Sequence, residues 1–155
     1  MFRLSTKGRY GLRAMYEIAR SYPRPINIKT ISERQGVPVR YLEQILNRLR
    51  RAGFIESIKG PGGGYVLKRK PAEINLAEIL LELVGPVAIT SCLDPEEGCL
   101  RVDRCVFHLL WKALGQQIEN FLSTITLEDL LQEWFLEALQ NQGGEHEQDQ
   151  VCGKY

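Results

Sequence analysis

Apolar positions near the start of the chain recur at helical spacing. Between Thr6 and Ser21, the residues Tyr10, Ala14, Met15, Ile18 and Ala19 share one face, and Pro23 and Pro25 end the pattern, which predicts one helix. A short helix is expected next, with Asn27 as N-cap, Ile28 and Ile31 facing inward and Gly36 as the stop. Pro38 suits the first turn of a third helix, whose stripe is Val39, Leu42, Ile45, Leu46 and Leu49 and which Gly53 terminates. Phe54–Ile58 and Tyr65–Leu67 read as two strands, with Gly60-Pro61-Gly62-Gly63-Gly64 as the turn between them. Helix, short helix, tight turn, helix and hairpin is the order of a winged helix-turn-helix.

Pro71 opens a linker. Asn75 then caps a helix running to about Leu83, with Glu78 three residues later as a capping box requires. Thr90 to Arg104 is a polar loop containing Pro95 and Gly98. A long helix is predicted from about Cys105 to Leu122, with Val106, Leu110, Ala113, Leu114, Gln117, Phe121 and Leu122 along one side. That side is too extensive for a small domain to leave in water, which predicts a homodimer built on this helix. Thr126 and Asp129 open a further capped helix to about Leu139. From Asn141 the composition turns to Gln, Glu, Gly and Asp, and disorder is expected. The expected fold is mainly α with a small β-hairpin. Residues 1–70 form the winged helix-turn-helix, 71–140 the cysteine loop and dimerisation helices, and 141–155 an acidic tail.

Charge sharpens this division. Residues 1–70 carry 16 Lys+Arg against 4 Asp+Glu, and residues 71–155 carry 4 against 15, so a net charge of +1 conceals one strongly basic half. A basic half with this element order points to double-stranded DNA. On the helix near 38–52, the positions off the apolar stripe include Arg40, Tyr41, Glu43, Gln44, Arg48 and Arg51. Arg can read guanine, Gln adenine, and Glu can accept from the cytosine amino group. Ser5, Thr6, Lys7 and Arg9 near the first helix, and Lys59 on the hairpin, are candidates for phosphates or the minor groove. Gly60, Gly62 and Gly63 would let the wing backbone approach phosphates closely. The turn is not a nucleotide-binding loop, because no Gly-Lys-Ser/Thr follows and the next element is a strand. Taken singly, any of these side chains could belong to a solvated, salt-bridged face. As a group they are mainly basic, which an ordinary face is not.

The acidic half carries Cys92-x6-Cys99-x5-Cys105-x2-His108. If Cys105 opens the long helix, it and His108 stand at i and i+3 on one face, and Cys92 and Cys99 can fold down onto it. Three thiolates and an imidazole make a complete four-ligand set. The spacing alone leaves open zinc, an iron–sulfur cluster or free redox thiols. Cys152 and His146 fall in the polar tail and have no assigned role. No apolar run is long enough to span a bilayer, and no apolar segment follows the basic first residues as in a secretory signal, so a cytoplasmic protein without membrane contact is expected. No base–nucleophile pair or nucleotide loop points to an enzyme.

Leu4-Ser5-Thr6-Lys7-Gly8-Arg9-Tyr10, Ile31-Ser32-Glu33-Arg34-Gln35-Gly36, Tyr41-Leu42-Glu43-Gln44, Gly60-Pro61-Gly62-Gly63-Gly64-Tyr65, Leu110-Trp111 and Ile125-Thr126-Leu127 resemble the bacterial iron–sulfur cluster regulators of the IscR type. The wider family includes the nitric-oxide sensor NsrR and the cysteine-metabolism regulator CymR. The resemblance covers about residues 1–135. It implies a homodimeric transcription regulator of cluster-assembly genes that holds a [2Fe–2S] cluster through Cys92, Cys99, Cys105 and His108. It also implies that Glu43 helps set which operators are bound with and without the cluster. The first cysteine interval is one residue longer than the family's common spacing, and Arg40 and Lys59 also depart from its commonest residues. The competing readings are a nitric-oxide or redox sensor of the same family and, from another class, a metal or cluster storage or carrier protein.

Overall fold

The computed structural model describes residues 4–93 and 104–142. Among these residues the chain forms six α-helices and one antiparallel hairpin: α1 (Thr6–Ser21), α2 (Ile28–Gln35), α3 (Val39–Arg51), β1 (Ile55–Ile58), β2 (Gly64–Leu67), α4 (Leu76–Val84), α5 (Val106–Ser123) and α6 (Glu133–Gln142). Short 3₁₀ turns lie at Pro71–Glu73, Ser91–Leu93 and Asp129–Leu131. The mainly α fold with a small hairpin is the one the periodicity predicts.

Local chemistry explains where the first helices begin. The Ser5 hydroxyl accepts from the Gly8 N–H at 3.1 Å, and the Asn27 side chain accepts from the Thr30 N–H at 2.8 Å, so each helix start has one of its unpaired donors satisfied. The turn between α2 and α3 is built at Gly36, in the left-handed conformation, while the Ser32 hydroxyl donates to the Val37 carbonyl at 2.7 Å. Pro38 is the N-cap residue of α3, one position before the first turn where it was expected, with an extended ψ of 135°. Leu42, Ile45, Leu46 and Leu49 are buried, and each such side chain contributes about 1.5–3 kcal/mol of transfer free energy.

In the hairpin Ile55 pairs with Leu67 and Ile58 with Gly64. The strand edge is extended by Ile26, which exchanges two backbone hydrogen bonds with Tyr65, at 3.0 and 2.8 Å. This stitches the entry to α2 onto the wing. Helix α4 packs on α1 and α3, and its cap is the expected Asn75–Glu78 pair. The Glu78 carboxylate accepts from the Asn75 side-chain amide at 2.7 Å and is bridged by Arg69.

The stretch after α5 differs from expectation. Thr126 and Asp129 form the reciprocal capping contacts, but only a 3₁₀ turn follows, Gln132 is extended, and α6 starts afresh at Glu133 and continues through Asn141 and Gln142. The physical reason lies upstream. The Leu76 N–H donates to the Ile125 carbonyl and the Leu127 N–H to the Ile74 carbonyl, both at 2.9 Å, and Ile125 and Leu127 are buried in the core around α1–α4. Anchoring this short bridge fixes the chain direction, so a helix opening at Thr126 cannot run on unbroken. Most of the tail expected to be disordered, including His146 and Cys152, lies outside the described residues.

Candidate DNA interface and metal centre

Helix α2 is held on α1 by a buried carboxylate. Glu17 accepts from Arg34 Nη1 at 3.0 Å and from Gln35 Nε2 at 2.7 Å, so both Glu17 oxygens are engaged with the end of α2. This seats α2 on α1 without using any residue on the outer face of α3.

On that outer face Arg40, Glu43, Gln44 and Arg51 are exposed. Tyr41 is half-buried, with its ring edge-on to Tyr10 at 5.6 Å, so it belongs in part to the α1–α3 contact. Arg48 reaches across to α4 and pairs with Glu82 at 3.0 Å. Its guanidinium therefore links the helix to α4, a role the sequence pattern did not suggest. Ser5 serves as the cap of α1, with its hydroxyl proton left to donate elsewhere; Thr6 and Arg9 are exposed and Lys7 is partly so. In the wing, Lys59, Gly60 and Gly62 are exposed, and the Gly63 N–H donates to the Gly60 carbonyl at 3.0 Å to close the turn. Arg50, off the apolar stripe and also exposed, was not among the expected contacts; its guanidinium bonds Asn47 at 3.3 Å.

The cysteine segment begins where α4 ends at Gly85. From there an arm lies along α5. The Val87 N–H donates to Glu119 Oε1 at 3.0 Å. Gly115 faces the same arm: a β-carbon there would stand 3.1 Å from the Val87 carbonyl oxygen and 3.8 Å from Ile89. The arm thus passes from Glu119 past Gly115 toward the start of α5, and its 3₁₀ turn at Ser91–Leu93 packs on that helix. Cys92 sits in this turn, with its Sγ 3.0 Å from Thr90 Oγ1. At the other end, Cys105 is the N-cap residue of α5 and His108 stands on its first turn. Cys92 and Cys105 are both free thiols and partly buried. His108 Nδ1 is buried with no hydrogen-bond partner among the described residues.

An unsatisfied buried nitrogen costs about 1–3 kcal/mol, and an imidazole without a partner among the described residues, on the first turn of the helix that begins at Cys105, fits a metal-ligating position. Cys99, the remaining expected ligand, lies outside the described residues, and among the described residues no three His, Cys, Asp or Glu side chains are grouped to hold a metal ion, so Cys92, Cys105 and His108 are not gathered into one site. The donors present, two soft thiols and an imidazole, suit either zinc or an iron–sulfur cluster.

Comparison with known proteins decides the lineage. Residues 4–133 match the Rrf2 family, described as iron-dependent transcriptional regulators. The chain belongs to the Rrf2 family. It is 45% identical over 130 residues to the HTH-type transcriptional regulator IscR of Photorhabdus laumondii, covering 83% of this chain and 79% of that one. It is 42% identical over 130 residues to IscR of Serratia proteamaculans, with the same coverage. Among solved structures, IscR of T. potens superposes with a TM-score of 0.71 at 33% identity and covers 94% of each chain. CymR, the global cysteine regulator of B. subtilis, superposes with a TM-score of 0.66 at 37% identity, covering 84% of this chain and 96% of its own.

As an Rrf2-family member the protein is a DNA-binding transcriptional regulator and not an enzyme. No described helix is long and apolar enough to cross a membrane. Besides Arg50, four Rrf2-chain residues around the site were missed from sequence: Glu82, Thr90, Gly115 and Glu119. Glu82, Gly115 and Glu119 meet partners on other elements, which no spacing rule signals, while Thr90 meets Cys92 two residues further on.

Proposed function

We propose that this Rrf2-family chain is a homodimeric regulator that binds operator DNA through residues 1–70 and senses an iron–sulfur cluster through residues 71–140, controlling cluster-assembly genes. Acting on chromosomal DNA places it in the cytoplasm. The observation that carries the metal reading is the buried His108 nitrogen, without a partner among the described residues, at the start of the helix that Cys105 caps and the Cys92 turn packs against. The similarity to IscR proteins supports a [2Fe–2S] cluster over zinc, with Cys92, Cys99, Cys105 and His108 as ligands. A bound cluster would supply a one-electron couple and a covalent tether between the loop and α5.

The residues around the site supply the route to DNA. The arm held by Glu119 leads back into α4, and α4 is tied to α3 by Glu82 and Arg48. A ligand shifts an equilibrium only by its different affinity for two states, so the tether acts by changing how α5 and this arm are set. Contacts to operator phosphates come from Ser5, Thr6, Lys7, Arg9, Arg48, Arg51, Lys59 and the glycines of the wing. Base edges fall to Arg40, Tyr41, Glu43 and Gln44.

Protein prepared anaerobically is expected to be coloured and to contain iron and acid-labile sulfide. Cys92→Ala, Cys99→Ala and Cys105→Ala each lose most of the colour, and Cys152→Ala keeps it. A colourless protein carrying stoichiometric zinc after the same preparation would rule out the cluster.

Glu43 is the expected discriminator between operators. A carboxylate in the groove is repelled by phosphates and finds a partner mainly in a cytosine amino group. Glu43→Ala is expected to relax the sequence preference of the metal-free protein, read as affinities for a panel of operators at fixed salt, with and without cluster. One common factor applied to every affinity in both states would show that Glu43 does not discriminate.

A further inference from the structure

Among the described residues Thr90 hydrogen-bonds a proposed ligand sulfur through its side chain, and its role rests on the cluster reading above. Its Oγ1 lies 3.0 Å from Cys92 Sγ, and its carbonyl accepts from the Leu93 N–H at 3.0 Å, closing the turn that carries the cysteine. In the free thiol either atom can be the donor. Once Cys92 is a ligand it is a thiolate without a proton, so only the hydroxyl can donate. The placement does not depend on the turn alone. The Glu119 carboxylate holds the Val87 N–H at 3.0 Å, and Gly115 leaves room for the Val87 carbonyl, so the segment delivering Thr90 is seated on the helix that bears His108.

We infer that Thr90 is a positioning and tuning residue of the metal centre, whose hydroxyl donates to the Cys92 thiolate and raises the cluster's reduction potential. The reason is electrostatic. Reduction adds one electron to a cluster whose sulfur ligands already carry negative charge. A hydrogen bond to a ligand sulfur is strengthened by that added charge, so it stabilises the reduced form more than the oxidised form.

The test compares wild type with Thr90→Val and Thr90→Ser, each reconstituted anaerobically. Iron and sulfide content, the visible spectrum and the midpoint potential from an optical titration are measured for each. Valine keeps the branched shape and removes the hydroxyl; serine keeps the hydroxyl and removes the methyl. Thr90→Val is expected to move the potential to more negative values by about tenfold in the one-electron equilibrium, ~59 mV, with Thr90→Ser close to wild type. If Thr90→Val instead fails to retain iron at unchanged helix content while Thr90→Ser retains it, the hydroxyl is again what matters, and the inference stands. Equal potentials in wild type and Thr90→Val, or equal changes in both variants, would overturn it. Wild-type protein that takes up no iron and sulfide would remove the cluster reading itself, an outcome visible before any variant is compared.

Discussion

Replacing Leu110 and Leu114 together by Glu is expected to leave a folded monomer whose operator affinity is about 10²–10⁴-fold below wild type. The two residues are one turn apart on α5 and both are exposed in the isolated chain. They belong to a helix of which only Gly115 is buried, while Val106 is 76%, Phe107 65%, Leu109 64% and Phe121 53% exposed. A lone apolar side chain at the surface needs no explanation, but a whole helix of them does. A second copy of the same helix is the proposed cover. Two carboxylates in the middle of that contact would have to be stripped of water with no cation to meet them. Because neither leucine fills the chain's own core, the monomer fold should survive, which far-ultraviolet circular dichroism checks. Sedimentation equilibrium at micromolar concentration reads the oligomeric state. The affinity loss follows because a dimer engages two half-sites with one binding event, and a monomer must hold each alone. A doubly substituted protein that remains dimeric and footprints both half-sites as wild type does would place the dimer contact elsewhere.

Gly64→Ala is expected to destabilise the DNA-binding half by about 3–5 kcal/mol. Gly64 opens β2 with φ of 152°, a conformation that side-chain-bearing residues rarely adopt. A β-carbon there would also run into the carbonyl of Ile26 and the backbone nitrogen of Asn27. These are backbone atoms, and they belong to the segment whose paired hydrogen bonds to Tyr65 join the entry of α2 to the wing. They cannot swing aside as the end of a leucine can. A loss of this size is a large share of the 5–15 kcal/mol that holds a domain folded. Gly60 makes the control: its φ is 99°, but the space around it is open, so alanine there meets only the backbone penalty, about 1–2 kcal/mol. Urea denaturation of both variants gives the comparison, read as a shift in midpoint at constant slope. Equal losses at the two positions would mean that the close approach of Ile26 to Gly64 contributes nothing.

Much of the fold was legible because its signals are local. The α3 stripe, the stops at Gly36 and Gly53, the caps at Asn27 and Asn75 and the glycine turn each depend on residues within a few positions of one another, and each appears where the pattern placed it. The capping pair at Thr126 and Asp129 was equally local and equally present, yet the helix it announced broke at Gln132. There a long-range requirement won, since Ile125 and Leu127 must reach the core and bond the backbone at Ile74 and Leu76.

By itself, the sequence determined the order of elements, the concentration of positive charge in residues 1–70 and the candidate ligand types, since periodicity, charge and side-chain chemistry are all written in linear order. Only the tertiary structure decided that Arg48 is joined to Glu82, that Glu17 clamps the end of α2, that the Cys92 arm is carried along α5 by Glu119 and Gly115, and that a His108 nitrogen is buried without a partner among the described residues. The first three of these are contacts between elements separated by many residues. The geometry of such a contact is set by how whole helices pack, and no short stretch of chain carries that information.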